Sequence, residues 1–320
     1  MSVCEDQIVM VGALLGAHVS VAGALELAFE RGEALGCRAI QIFVKNPNRW
    51  RHRRLAEAEV ETFRSARQRS PIASVVAHAS YLVNLAARDR SILDRSRRAL
   101  ADELIRCNRL GVDALIFHPG AHMGRGEHAG LLRIADSMNR VLASYADREE
   151  RQERSAETRL LLENTAGQGT VLGYRLTQLA EIRERIERQP LVGLCLDTCH
   201  AFAAGYPIDR PRGLGTLLAR IEATLGASEP SCIHLNDSRK PFGSRRDRHA
   251  NIGEGEIGED LFRRLIRHRR LRGTPMILET PLGADGQGHR RDLDLLDRLR
   301  DRRAQKPCAT LGDHEVLFRA

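Results

Sequence analysis

Short apolar runs alternate with longer amphipathic stretches along most of the chain, and the two kinds of segment have different periods. The apolar runs read as buried strands over 14–20, 39–43, 73–78, 114–118, 160–163, 191–197, 232–235 and 275–279. Between them, helical periodicity predicts helices over 22–35, 55–69, 91–110, 129–146, 176–188, 213–225 and 258–270. A last, Arg-rich amphipathic helix starts at Asp292. Ser20 is placed to cap the first helix, and Gly36 and Gly111 to stop the first and third. Strands alternating with helices through short connections predict an α/β chain folded as a (β/α)8 TIM barrel. The expected organisation is an N-terminal extension over 1–13 (Met10 being an alternative start), a barrel over 14–300 and a tail over 301–320. The charged connector 147–158 reads as a solvated insertion, and 236–254 as the longest structureless loop.

The ends of the strands carry the chemistry. The run Leu191–Leu196 stops abruptly at Asp197, and five other consecutive strands stop in the same way, on His78, His118, Glu163, His234 and Glu279. In such barrels the active site is assembled from strand ends at the C-terminal rim, where these residues can point to a common centre. The loops add His200 after Asp197, and Asp247 with His249 after the seventh strand. Five His and four carboxylates suffice for about three ions if one carboxylate bridges. Imidazole with carboxylate suits zinc, and positions left open to water mark a catalytic site; the spacing alone admits manganese or iron as well. Cys195 and Cys199 have no second Cys pair nearby and read as small buried core residues rather than a zinc knuckle.

Composition narrows the partners. A length of 320 residues fits one barrel of roughly 250 residues with insertions. Aromatic residues are only 4% of the chain, so the core must be built from Leu, Ile, Val and Ala. The formal charge of +8 comes mostly from Arg; this favours phosphate-rich partners, although a proteome biased towards Arg and Ala would explain it equally. Seven Cys without a signal-peptide pattern suggest the reducing cytoplasm. No apolar run approaches the roughly 18–20 residues of a membrane span. Three divalent ions would outweigh four carboxylates, and that surplus suits a phosphodiester substrate.

At these residues the chain resembles the endonuclease IV family of apurinic/apyrimidinic endonucleases. The matching segments are Gly16-Ala17-His18-Val19-Ser20, the stretch from His78 through Tyr81 and Leu82 to Leu85, Phe117-His118-Pro119-Gly120, and Leu162-Glu163-Asn164-Thr165. They continue with Asp197-Thr198-Cys199-His200, His234-Leu235-Asn236-Asp237-Ser238, Asp247-Arg248-His249, Ile252-Gly253-Glu254-Gly255 and Leu278-Glu279-Thr280-Pro281, covering about Leu14 to Arg300 in family order. The resemblance implies three zinc ions per chain. His78, His118 and Glu163 would hold one; Glu163 would bridge to a second, held also by Asp197, His234 and Glu279; His200, Asp247 and His249 would hold the third. It also implies hydrolysis of the phosphodiester 5′ to an abasic site in duplex DNA, leaving a 3′-hydroxyl and a 5′-deoxyribose phosphate, and trimming of blocked 3′ ends. Glu163 and Glu279 would be the catalytic acids, Glu279 orienting the attacking water. Tyr81 and Leu82 match a pair that wedges into the duplex where the base is missing. In the loop Lys45–Trp50 the family commonly places Arg where Asn48 stands; Arg49 is adjacent and offers a substitute. A monomer associated with the nucleoid during repair is the further expectation.

Two other readings compete. Sugar isomerases and epimerases share the architecture and carry metals on the same rim, but need one or two ions and have no use for Asp247-Arg248-His249. A non-catalytic lesion-binding protein would have lost a bridging or water-orienting acid, whereas Glu163 and Glu279 are both present.

Overall fold

The structure, a computed structural model, describes residues 12–149, 157–226 and 230–301. Eight parallel strands close into a barrel: β1 (Leu14–His18), β2 (Ala39–Ile42), β3 (Ser74–His78), β4 (Ala114–Phe117), β5 (Arg159–Glu163), β6 (Val192–Asp197), β7 (Cys232–His234) and β10 (Pro275–Leu278). Each strand pairs with its neighbours in sequence order, and β10 returns to pair with β1, Leu15 lying opposite Met276. The TIM barrel expected from the alternation is therefore the fold. Helices α1 (Leu27–Ala34), α2 (Glu57–Arg69), α3 (Arg90–Leu110), α4 (Glu127–Glu149), α5 (Leu176–Glu184), α7 (Gly213–Leu225), α8 (Glu259–Ile266) and α9 (Gly288–Asp301) follow the barrel strands, and a short α6 (Thr198–Ala203) follows β6 directly.

Period-two alternation divides the strand residues between two environments. Ala39, Val76, Ala114, Ile116, Leu161, Cys195, Cys232 and Ile277 form one buried cluster inside the barrel. Their strand neighbours, among them Ile40, Val75, Leu115, Leu162, Leu194 and Leu278, belong to the larger core shared with the helices. On α3, Leu100, Leu104 and Cys107 face that core, the spacing of one helical stripe. Each fully buried Leu or Ile contributes about 1.5–3 kcal/mol relative to exposure, which offsets a polar layer above the inner cluster. That layer follows from the same alternation. Two residues beyond members of the inner cluster stand Gln41, His78, His118, Glu163, Asp197, His234 and Glu279. Gly16 on β1 permits close approach of β2, since a Cβ there would lie 1.7 Å from the Ala39 carbonyl oxygen.

Several boundaries differ from the sequence reading. The first helix starts at Leu27 rather than Ala22. Ser20 does not cap it; its hydroxyl accepts the Ala22 N–H, closing a local turn. The helix expected to reach Arg188 ends at Glu184, and a 3-10 turn over Gln189–Leu191 carries Pro190. The last helix begins at Gly288, four residues ahead of Asp292. The stretch 236–254 is not structureless. It contains an antiparallel pair, β8 (Asp237–Ser238) with β9 (His249–Ala250). The extension over 1–11, the centre of the charged connector (150–156) and the tail beyond Asp301 lie outside the described residues. Among the described residues no helix is long and apolar enough to cross a membrane.

Candidate metal centre

His78, Glu163, Asp197 and His234 are the last residues of β3, β5, β6 and β7, while His118 and Glu279 stand one residue beyond β4 and β10. Their side chains converge. Glu163 lies at the middle, its Oε2 3.1 Å from His78 Nε2 and 3.2 Å from His118 Nε2. Its Oε1 is 3.1 Å from His234 Nδ1, which is in turn 3.2 Å from Glu279 Oε2 and 3.9 Å from Asp197 Oδ2. His200 and His249 face one carboxylate, with Nε2 3.1 Å from Asp247 Oδ2 and 3.3 Å from Asp247 Oδ1 respectively. His249 Nε2 also lies 3.8 Å from Asp197 Oδ2. All nine candidate residues thus meet at one rim, in groups whose donor atoms are close enough to share an ion: His78, His118 and Glu163; Glu163, Asp197, His234 and Glu279; Asp197, His200 and His249; and Asp247 and His249 with Cys199. The turn expected to carry His200 is the first turn of α6, capped by Asp197, whose Oδ1 accepts the His200 N–H at 2.7 Å.

Outer partners fix which ring nitrogen faces the centre. The Nδ1–H groups of His78, His200 and His249 donate to the carbonyls of Ala79, Asn164 and Glu279, leaving Nε2 inward. His234 is reversed: its Nε2–H donates to Gln41 Oε1, and Nδ1 points at the acids. Gln41 Nε2 donates to Glu279 Oε1 at 2.6 Å. Asn236 Nδ2 donates to Asp197 Oδ2 at 2.6 Å, and its Oδ1 accepts the Glu279 N–H. Asn164 exchanges two hydrogen bonds with the Asp197 backbone. Outer hydrogen bonds thus orient four of the five imidazoles and the carboxylates of Asp197 and Glu279. His249 Nε2 is buried and aimed between the Asp247 and Asp197 carboxylates.

The electrostatics call for positive charge. Burial alone would push the Glu163 carboxyl up, but the neighbouring His118 and His234 outweigh it and hold it well below the usual carboxylate range. Glu279 behaves alike: burial raises it, His234 and His78 lower it, and it settles at about 2. Asp247 is also held below the ordinary range, by hydrogen bonds to His200 and His249 that overcome its burial. Conversely, burial would lower His249, yet Asp247 and Asp197 carry it up to about 9. Ionised acids packed this closely are costly unless cations offset them. Divalent ions would supply the positive charge that these carboxylates attract, so the donor set fits metal. Cys195 and Cys199 are buried as expected. Although Cys199 lies within reach of Asp247 and His249, burial pushes its thiol up to about 12, which opposes the thiolate a metal needs.

The cluster opens into a cavity of about 880 Å³ lined by His18, Phe43, Lys45, Tyr81 and Leu282, among others. Tyr81 projects at the mouth with 67% of its surface exposed, its ring edge-on to Phe43. Leu82 beside it is half-buried. Asn48 and Arg49 are exposed at the tip of the β2 loop, outside the cavity wall. Beneath both loops lies a buried ion pair, Lys45 Nζ to Glu103 Oε1 at 2.9 Å, and Glu103 Oε2 also accepts the Ser80 N–H. The sequence reading missed Gln41, Asn164 and Asn236; a polar residue at an inward position of an otherwise apolar strand was the available signal for Gln41. It also missed Asp237, which is buried and accepts four backbone N–H groups, from Ser238, Gly253, Gly255 and Ile257.

A closed barrel carrying His and carboxylate side chains on its C-terminal rim defines a class, the xylose isomerase-like TIM barrels, and the sequence profile of that family matches residues 29–299. Within the class, the chain belongs to the endonuclease 4 family. It is 46% identical over 284 residues to a probable endonuclease 4 of Chloroflexus aurantiacus, covering 89% of this chain and 97% of that protein. The crystal structure of endonuclease IV from Thermus thermophilus superposes with a TM-score of 0.77 at 37% identity, covering 89% of this chain and 98% of that one. A 3-keto-D-glucoside 4-epimerase from E. coli shares the fold at a TM-score of 0.61 but only 16% identity, covering 89% and 99% of the two chains.

Proposed function

We propose that the chain is a DNA-repair hydrolase that cleaves the phosphodiester 5′ to abasic sites in duplex DNA, leaving a 3′-hydroxyl and a 5′-deoxyribose phosphate, and that it also trims blocked 3′ ends. Three zinc ions are the proposed cofactors, with manganese or iron as possible replacements. His78, His118 and Glu163 would hold the first, Glu163, Asp197, His234 and Glu279 the second, and His200, Asp247 and His249 the third. The observation that carries this reading is the position of Glu163, whose two oxygens face separate sets of ligands. An acid so placed suits a bridge between two ions, and the Asp247-Arg248-His249 loop beside it supplies a third set for which a sugar isomerase of one or two ions has no use.

Zinc ions, when bound, lower the pKa of water towards neutrality and neutralise charge developing at phosphorus and on the leaving oxygen. The chain's own groups supply the rest. Glu279, kept ionised and held through its other oxygen by Gln41, is suited to orient the attacking water. Tyr81, exposed at the cavity mouth, and Leu82 are suited to fill the gap left by a missing base, with Asn48 and Arg49 on the facing loop. Rim residues such as Arg248 would contact phosphates and make binding strongly salt-dependent. No side-chain nucleophile is required. The barrel is proposed to extend over 14–300 and to act as a monomer on nucleoid DNA.

The test is incision of a duplex carrying one abasic site, with magnesium chelated, beside elemental analysis of the purified protein. Cleavage 5′ to the lesion with about three metals per chain is expected. Full metal loading without incision would overturn the substrate and direct attention to sugars.

A further inference from the structure

The third set of ligands differs from the other two in how it is held. Asp247 comes from the exposed turn between β8 and β9, and His249 opens β9, rather than from the closed barrel. The turn is fixed at α6, where Phe242 packs edge-on against Phe202 with ring centroids 5.6 Å apart, and at the β5 loop. Gly243 and Arg245 donate their N–H groups to the carbonyls of Phe202 and Ala203, at the end of α6. The Asp247 N–H reaches Gln168 Oε1 at 3.3 Å, a long contact. The Arg245 guanidinium lies over the face of Tyr174, 4.3 Å from the ring centroid.

Tyr174 is itself clamped. It is nearly fully buried, and its hydroxyl donates to Glu127 Oε1 at 2.9 Å. Arg175 also bonds Glu127 and covers the same ring at 5.1 Å. Gly167 packs so closely on the ring that a Cβ there would lie 2.7 Å from Tyr174 Cγ. The ring is thus a rigid plate on the β5 loop, and Arg245 is the side chain that the β8–β9 turn lays upon it. Arg245 does so with φ at 52°, left-handed backbone that a side chain other than glycine adopts only at a cost. Strain of this kind persists where surrounding contacts enforce it, and here they are the Arg245 N–H on the Ala203 carbonyl and the guanidinium over an aromatic face.

We infer that Tyr174 and Arg245 form a clasp that positions Asp247 and His249, so that occupancy of the third ion site depends on a stacking contact between residues that touch no ion. The inference rests on the three-ion reading given above, but the clasp has a metal-free readout. Both residues are positioning residues. Loss of the clasp frees the turn, and the two ligands on it no longer hold their distance from His200 and Asp197, which stay on the barrel. The other two ion sites, built from strand ends, are untouched.

The experiment compares Tyr174→Leu, Tyr174→Phe and Arg245→Gly with the full-length parent. Gly removes the cation while relieving the left-handed backbone, so the two effects act on the turn in opposite directions. Amide exchange over 239–250 in chelated protein is expected to accelerate at least about tenfold in Tyr174→Leu and Arg245→Gly, with Tyr174→Phe near the parent. Zinc titration against a competing chelator is expected to show about 10–100-fold weaker affinity for one ion and no change for the others. Unchanged exchange and unchanged zinc affinity in both disruptive variants would overturn the clasp. A parent that binds fewer than three ions would instead overturn the metal count, and the exchange measurement would still decide the clasp. If Tyr174→Leu fails to fold, Arg245→Gly at the exposed partner carries the test alone.

Discussion

Gln41 Oε1 accepts from His234 Nε2 at 2.8 Å, and this contact reverses the ring relative to the other oriented histidines of the rim. The same amide donates to Glu279 Oε1 and lies 3.1 Å from His18 Nδ1. Replacing Gln41 by Leu leaves the His234 ring free to turn and the Glu279 carboxylate unheld. Affinity for one zinc is expected to fall about 10–100-fold, as for other outer partners of metal ligands. Chelator competition measures it; an unchanged affinity would show that strand geometry alone orients both ligands.

Glu279→Gln keeps size and a hydrogen bond to Gln41 but removes the negative charge. The fold and most DNA binding should persist while strand incision is lost by at least about a hundredfold, the usual contribution of a positioned acid or base. Binding to an abasic duplex and single-turnover incision separate the two effects. Near-normal incision would remove Glu279 from the mechanism.

His249→Ala should deplete one ion and leave the other two, because that ring belongs to neither of the other two proposed sets. Elemental analysis after dialysis gives the answer directly. Full metal content in the variant would mean that the third group of ligands is misassigned.

His18 supplies a pH signature. Burial pushes its imidazole down to about 4, the nearby Glu279 opposing this only in part. A histidine depressed in the folded state binds its proton more readily when unfolded. The fold is therefore favoured above the unfolded value of 6.5 and loses that advantage as pH falls towards about 4. Between pH 7 and 5 the stability difference between the parent and His18→Gln should narrow by up to about 2 kcal/mol. Urea unfolding of chelated protein at both pH values measures it, and a constant difference would mean that the ring titrates alike in the folded and unfolded states.

Asp237 is the acid whose role is structural. Asp237→Ala removes the acceptor of four backbone N–H groups, of which those of Ser238 and Ile257 belong to buried residues, and each buried unsatisfied group costs on the order of 1–3 kcal/mol. The variant should lose several degrees of melting temperature together with affinity for the ion nearest β9. A variant melting with the parent would mean that water replaces the carboxylate.

The fold and the nine rim residues were legible because they follow from one rule, alternation along buried strands. An apolar run ending in Glu163 or Asp197 announces both a strand and the direction of its last side chain. The residues that escaped notice obey no such rule. Asn164 and Asn236 act on the backbone or carboxylate of Asp197, more than thirty and nearly forty positions away, and only the closed barrel brings them there. The β8–β9 pair was hidden because each strand has two residues, too few to show a period. The early start assigned to the first helix had a definite cause: the Ser20 hydroxyl closes a turn with Ala22, a local bond that looks like a cap in sequence and competes with one in space.

The layer of polar side chains above the inner apolar cluster also fixes the order of events in the protein's life. Its members are drawn from β2 to β10, and β10 completes the ring only by returning to β1. No early segment of the nascent chain holds a full set of donors, unlike a knuckle whose ligands sit a few residues apart. Of the proposed sets, the one made by Glu163, Asp197, His234 and Glu279 is complete only once the last strand has closed the circle, so an ion there would be loaded after folding rather than template it.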